Sequence, residues 1–565
     1  MAINDVVNTD GSLNIKRLGE YHDEIADVDA QLAETVTLKP SGINDTINWN
    51  NAISSLSMGG QLNLTSGDYF VDAGNLKSNM IIHGRGYPRI LSDTSIFPIN
   101  SGSSDITNNI KNITFEYLVF EAITKSFSEH IHLLKLSGVS NITFRHCIIK
   151  GFRGDGVYLG SGDAGQERHN ENINFIKCTF DGVANQNRNG LSIIDGNGVY
   201  LERCHFKNCT MPTMPGAIDI EPNANAWSII KNIHVRKCKF NNIGGNVGVI
   251  SLILPLAQSQ LTAPVENITI EGCSCDGAIN TQGGLSFKQN QIAPLDDNSY
   301  GLNIKVINNK FKNLSARGFG LQGIKGAMFS KNDFVNYKSS CIVGFTGVND
   351  KCSNIRLRDN LFKQGGTVDG NGLSVFTVDR LDIIRNTFDD CGKSDGMFGN
   401  AINYNNGVSS NVRFVGNDVI TPTGRTKNAT FKEVSHTFTP ATNTDQNNTF
   451  NGLPNLFVAS LVNPLDLYTN KVVFDATILP DSFVLGVSTS IVNSATSMPT
   501  GFSQGVLVTH KLNSTSSFRA FTTQWYYPRN NSGVTLTDNY YRRANSATND
   551  WSAWHKITGV AVATN

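Results

Sequence analysis

One short frame recurs along the middle of this chain and restricts its fold more than any other feature. It appears as NITFRHCII (141–149), NINFIKCTF (172–180), VYLERCHF (199–206), NIHVRKCKF (232–240) and NITIEGCSC (267–275). It then continues with asparagine in place of cysteine: NIKVINNKF, MFSKNDF, NIRLRDNLF, LDIIRNTF and NVRFVGNDV. The shared slot is therefore Cys147, Cys178, Cys204, Cys238, Cys273, Asn309, Asn332, Asn360, Asn386 and Asn417, and an earlier copy, NITFEYLVF, puts Leu118 there. Successive slots lie about 23 to 36 residues apart, the range of solenoid repeats.

Each copy has the same grammar. A strand with alternating apolar residues runs into a sharp corner, and a second short strand follows with an apolar residue two places after the slot. A polar loop leads to a third strand, usually led by a small residue: GVYL, GLSI, AIDI, GLSF, GLSV, AINY. Three short strands per copy, stacked copy on copy, predict an all-β chain, a right-handed parallel β-helix of about 10–11 rungs. Asparagine amides at the corner would bond in a ladder, with the cysteines as buried, reduced substitutes. Disulfides and a metal site are the competing readings. Slots that stack in one direction along a run of five disfavour disulfides, and no CxxC spacing or group of converging histidines points to a metal.

The rest of the chain frames that coil. Lys+Arg and Asp+Glu are 47 each, so nothing in the balance concentrates phosphate, and no nucleic-acid partner is expected. No apolar run is long enough to cross a membrane, and the start lacks the apolar stretch of a secretory signal. Leu18, Tyr21, Ile25, Val28 and Leu32 follow a 3-4-3-4 spacing, which predicts either a short coiled-coil seam or a single amphipathic capping helix in an N-terminal segment, 1–38. A short helix around Trp49–Leu56 then opens the β-helix domain, 39–424, covering an end that would otherwise present bare backbone. From about 425 the composition turns to Thr, Ser and Asn, predicting a C-terminal β-rich domain, 425–565, whose aromatics mostly fill a small core.

Gly59, Gly60, Leu62, Leu64, Gly67, Tyr69 and Val71, followed by the rungs, resemble the pectate-lyase-like class found in phage tailspikes and appendages. The usual acidic lead of that pattern is degraded here to SGINDT. Near the other end Tyr540, Tyr541, Arg542, Trp551 and Trp554 resemble the knob-like module of phage fibres and pyocin tails. GAIDIEPN (216–223) is also similar to a stretch in teichoic-acid-degrading appendages of small phages that infect Gram-positive hosts. The resemblance implies an elongated homotrimer on a virion tail, attached to tail or baseplate proteins through its N-terminus, that binds and often cuts a bacterial surface polymer.

GAIDIEPN is also where the residues themselves point to chemistry. It forms the third strand of the Cys204 rung, with Ile218 and Ile220 inward and Asp219 and Glu221 outward. Two carboxylates two places apart on a strand raise each other's pKa, so one keeps a proton while the other stays ionised. That is the minimum equipment for acid–base hydrolysis of a glycosidic or phosphodiester bond. Outward polar residues decorate any soluble solenoid. Here, though, the matching positions of other third strands are Ser192, Ser251, Ser286, Gly320, Ser374 and Asn403, so a double acid is unusual within its own repeat.

Asp195 is a third catalytic candidate. His169, Arg188, Lys288, Glu167, Asp155 and Tyr158 are expected to contact substrate. No dedicated metal ligands are assigned, but a divalent cation, Ca²⁺ or Mg²⁺, would use the same carboxylates if the bond is a phosphodiester. The leading expectation is a virion depolymerase acting on wall teichoic acid or an exopolysaccharide. The alternatives are a receptor-binding spike that does not cut, and a cellular lyase or epimerase, which would need an export signal.

Overall fold

The computed structural model describes residues 34–420, apart from short gaps at 58, 101–107, 164, 184–186, 280–282, 369, 393–400 and 405–409, and beyond 420 only strand segments between 432 and 557. The frame does wind into a parallel β-helix. Its rungs contribute to three sheets, two of 15 strands and one of 12. The first sheet starts at Thr35–Leu38, the second at Asp68–Phe70 and the third at Phe97–Asn100. The coil is therefore longer than the 10–11 rungs expected, and it overruns the boundaries drawn at 39 and 424. Thr35–Leu38 pairs with Gly60–Leu64, and Thr444–Gln446 still adds to the first sheet. Thr35–Leu38 lacks the corner slot, so the repeat does not announce it, whereas the sequence DQNNTF (445–450) is a further copy of the frame that the expected rung count leaves out.

The recurring spelling has a physical cause at each position. The residue before the slot turns the corner in the left-handed conformation, as at His146, Lys177, Arg203, Lys237, Asn308, Lys331, Asp359 and Arg385. The slot residue then points inward and is buried. Asn309 Nδ2 donates to Asn332 Oδ1 at 2.9 Å, and the chain continues through Asn360, Asn386 and Asn417 at 2.9, 2.9 and 3.0 Å. The same amides donate to the preceding rung, Asn332 Nδ2 to Val306 O at 2.9 Å. In the earlier rungs Cys147, Cys178, Cys204 and Cys273 donate S–H to the same backbone level at 3.2 to 3.4 Å. All ten cysteines are buried and unpaired. Burial pushes the thiols of Cys209, Cys275, Cys341, Cys352 and Cys391 up to about 12.

A second ladder runs along the outside. The asparagine that begins most copies of the frame also sits in the left-handed region, and its side chain bonds to its neighbour. Asn141 donates to Asn112, Asn172 to Asn141, Asn267 to Asn232 and Asn303 to Asn267, at 2.7 to 3.0 Å. Inside, phenylalanines stack in columns, Phe115 on Phe144 on Phe175 at 4.7 and 5.0 Å.

The helix expected around Trp49–Leu56 spans Thr46–Ser55 and buries Trp49, Ala52 and Ile53 over the coil's end. Trp49 lies 5.2 Å from Phe97 and donates its indole N–H to Asn75 O. Leu62, Leu64, Tyr69 and Val71 all point into the core. Gly59 and Gly60 have φ of +102° and +135°, and a Cβ there would meet Asn79 O at 2.2 Å and Glu34 O at 2.5 Å, so only glycine fits. The heptad at 18–32 lies outside the described residues. Near the C-terminus Gly486–Asn493, Gln504–Lys511, Thr522–Pro528 and Asn539–Asn545 form an antiparallel sheet with two short strands, Asp550–Trp551 and His555–Ile557. No helix among the described residues is long and apolar enough to cross a membrane.

Candidate active site

The third sheet sets the address of the acid pair. Ile218–Ile220 lies between Leu191–Ile193 and Ile250–Leu254, so Asp219 pairs with Ser192 on one side and Ser251 on the other. Tyr158 follows below Ser192, and Ser286 and Gly320 follow above Ser251. Ile218 and Ile220 belong to the core, which leaves Asp219 on the outer side. It is not displayed there as expected: loops cover it, and it keeps only 2% of its exposure, while Glu221 is half-buried.

Asp219 is held from both sides. Ser251 Oγ donates to Oδ1 at 2.9 Å, and Asn189 Nδ2 donates to Oδ2 at 3.4 Å. Burial pushes the Asp219 carboxyl well above the ordinary carboxylate range, and the charges of Glu221 and Asp155 push it further, against Ser251 and Arg188. Burial also raises Glu221, opposed by a hydrogen bond from Asp219 and by Arg188. The more deeply buried acid keeps the proton, and the half-exposed one carries the charge.

Three further elements wall the pair. Arg188 Nε lies 3.6 Å from Asp155 Oδ1, and its guanidinium reaches Glu129 at 3.1 Å. Asp155 is buried, and its Oδ2 lies 3.1 Å from His132 Nδ1. The His132 ring stacks on Tyr158 at 4.3 Å. Tyr158 is raised first by burial and next by Asp155, opposed by Asn223 in the loop after Glu221. Trp227, in the same loop, donates to Ser161 O at 3.0 Å. That contact ties the loop to the small hairpin of Gly162–Asp163 and Gln166–Glu167.

The structure divides the candidates read from the sequence. Asp219, Glu221, Asp155, Arg188 and Tyr158 come together. Asp195 and His169 form a separate pair where the chain leaves the third sheet: His169 Nδ1 sits 3.0 Å from Asp195 Oδ2. Asp195 is fully buried and accepts the backbone N–H groups of Asn170 at 2.9 Å and Ile229 at 2.8 Å. The charges acting on it come from His169, not from the acid pair. It anchors the far end of the 222–229 loop and does not join the pair, because the chain turns a corner between Ile193 and Gly196. Glu167 stands on the hairpin and acts electrostatically on His169. Lys288 is exposed two strands above, beside Ile253 and Gln322.

His132, Asn189 and Ser251 were missed as site residues. The register was their signal. His132, Asp155 and Asn189 each stand two places before a third-sheet strand, and those strands stack directly. Among the described residues no group of three or more His, Cys, Asp and Glu side chains is arranged to hold a metal.

The described rungs, with this pair on an outer face, make the chain a parallel β-helix protein. Among solved structures, the chain is similar to the N-terminal fragment of bacteriophage Phi29 gene product 12, at TM-score 0.52 and 14% identity over 78% of this chain and 74% of that one. It is also similar to bacteriophage CBA120 tailspike protein 3, at 0.41 and 13% over 77% and 63%. The A-module of the Azotobacter vinelandii mannuronan C-5 epimerase AlgE4 matches at 0.39 and 13% over 66% and 91%. At these identities the likeness is one of fold. Residues 467–556 match the family model of the phage-like element PBSX protein XkdV third domain. No curated protein matches significantly in sequence.

Proposed function

We propose that this protein is a phage tail spike or appendage that binds a bacterial surface polymer and hydrolyses it with Asp219 and Glu221. One observation carries the chemistry: two carboxyls two places apart on one strand sit on the outer side of the coil, with the neutral Ser192 and Ser251 beside Asp219 in the stacked strands and burial raising both acids. The setting is supported by the fold shared with the Phi29 gene product 12 fragment and by the match of 467–556 to a phage-like element domain. Asp219 holds the proton and is the general acid toward the leaving oxygen. Glu221, ionised and facing the solvent, takes a proton from the attacking water or attacks directly. Arg188 balances the negative charge of the pair, and Tyr158 offers an aromatic wall for a sugar ring. The polymer is a teichoic acid or an exopolysaccharide; with a phosphodiester, a Ca²⁺ or Mg²⁺ ion would share the carboxylates. Trimerisation and N-terminal attachment to the tail belong to the same reading.

Incubation with purified wall polymers, followed by new reducing ends or phosphomonoesters, tests it. Glu221→Gln should lower turnover about 10²- to 10⁴-fold, the usual weight of a general acid or base, and leave polymer binding intact. The pH profile should be bell-shaped. Its acid limb tracks Glu221 ionising above the ordinary carboxylate range, and its alkaline limb tracks Asp219 losing its proton. Cutting by Glu221→Gln at the wild-type rate would discard the site. The burial of Asp219 favours a second reading, a spike that binds without cutting, in which the pair only shapes the surface. Binding by the wild type with no cleavage of any polymer would select it.

A further inference from the structure

A second column of outward side chains runs up the first sheet, on a different face from the acid pair. In its lower part it is neutral: Tyr200 stacks on His234 at 4.9 Å, and Thr269 follows. Higher up it turns cationic. Lys305 pairs with Thr269, and Arg356 and Arg413 follow at every second strand, with Met328 and Asp382 between them. At about 4.8 Å per strand the three cations recur roughly every 10 Å. Two adjoining clefts open along this stretch, of ≈310 Å³ and ≈400 Å³, and both are lined by Asn354 and Arg356. Lys305 lies in the first, and Arg380, Asp382 and Arg413 lie in the second.

The charges here are compensated differently from those nearby. Asp382 already has Arg358 at 3.3 Å and Arg413 at 3.4 Å, and Arg380 pairs with Asp297. Among the described residues, Lys305 and Arg356 have no carboxylate within ion-pair distance, and both are exposed. Lower on the same sheet, the parallel column of Glu202, Arg236 and Glu271 closes on itself, Arg236 reaching Glu271 at 3.2 Å and Glu202 at 4.0 Å.

We propose that this groove is a separate subsite for an anionic, phosphate-bearing polymer, gripped by Lys305 and Arg356 with Arg413 at its end. A guanidinium offers a phosphate two parallel N–H donors, and exposed cations at regular spacing suit a repeating anion. The acid site explains why such a grip is useful. Asp155, Asp219 and Glu221 outnumber the one guanidinium beside them, Arg188, so a polyanion gains little there, and a cationic strip on another face would retain the chain between cuts. That use rests on the hydrolase reading; the binding itself does not.

The test uses the full chain, with long-chain inorganic polyphosphate as the anionic probe and dextran as the neutral one, at about 50 and 200 mM salt. Wild type should bind polyphosphate with an affinity that falls steeply with salt, and should bind dextran no better than the groove variant does. Lys305→Gln/Arg356→Gln should weaken polyphosphate binding about tenfold or more and flatten the salt dependence by about two contacts. Arg236→Gln/Lys237→Gln, on the same face, should do neither. Equal affinity in the Lys305/Arg356 variant, or an equal loss in the control, would overturn the proposal. A change of oligomeric state in sedimentation would also overturn it, by making the groove an interface between copies. Polyphosphate binding that depends on Lys305 and Arg356 in a protein that cleaves no polymer would keep the groove and remove the hydrolase.

Discussion

In the N-terminal half of the coil the corner between the first two sheets is filled by thiols, Cys147 to Cys273, and in the C-terminal half by amides, Asn309 to Asn417. The backbone turns the same way in both, with a left-handed residue just before the slot. What differs is how many bonds depend on the side chain. Asn332 Oδ1 accepts both the backbone N–H and the Nδ2 of Asn309, at 3.0 and 2.9 Å, and Asn332 Nδ2 donates to Val306 O and Asn360 Oδ1. Cys204 offers one weak S–H, to Phe175 O at 3.2 Å or Glu202 O at 3.8 Å. The corner shape is thus set by the backbone and the buried volume, while the amide adds a network that no single member can leave without orphaning others.

The sharpest way to break that contrast is to truncate one member of each half. Asn332→Ala strands the Asn309 N–H and the Val306 carbonyl in a dry interior, and at 1–3 kcal/mol per orphaned buried group it should cost roughly 2–5 kcal/mol. Cys204→Ala removes one buried heavy atom and a weak donor and should cost about 1 kcal/mol. Denaturant unfolding of the two variants measures both. Equal losses would show that the amide ladder adds nothing beyond filling space.

The two halves also differ in how far the sequence exposed them. The slots were legible because corner, strand and strand are local and repeat within about 23 to 36 residues. The same register placed Ser192, Asp219, Ser251 and Ser286 in one column. The loops were not legible, because their paths between rungs obey no repeat. Asp219 was expected at the surface, and its burial under Asn189 and the neighbouring loops follows from folds of chain that periodicity cannot see. Asp195 was misplaced for a related reason. Its neighbours in sequence share the rung, but a corner turns it toward Asn170 and Ile229. The outer asparagine ladder was written in every copy of the frame as its first letter, and only the left-handed backbone explains it.

A smaller effect separates the acid pair from the rest of its column. An acid whose pKa is higher in the folded state binds its proton more tightly there. Its stabilising contribution is complete below the unfolded value, about 3.9 for Asp, and is lost as pH rises through the folded value. Asp219 is raised in this sense, first by burial and then by Glu221, and Glu221 is raised too. Wild type should therefore lose thermal stability from about pH 4 upward. Asp219→Asn, whose amide can donate to Glu221 as the protonated acid does, should lose less, so the gap between them should widen in the variant's favour toward neutral pH. Parallel curves would mean that Asp219 is not raised.

The smallest effect concerns the first sheet's outer face, where the two halves carry similar charges arranged differently. Arg236 is paired with Glu271 and Glu202 but remains about half exposed, with 47% of its side chain open, so its ion pairs are screened by water. Arg236→Ala should cost only about 0–0.5 kcal/mol. Arg356→Ala removes a cation that has no ion-pair partner among the described residues, so it should leave stability unchanged or raise it slightly by easing repulsion along the strip. Measured side by side in the same unfolding experiment, the two separate a charge kept for the fold from a charge kept for something outside it. A loss for Arg356→Ala as large as that for Arg236→Ala would place Arg356 among the structural charges and remove the reason for expecting a ligand there.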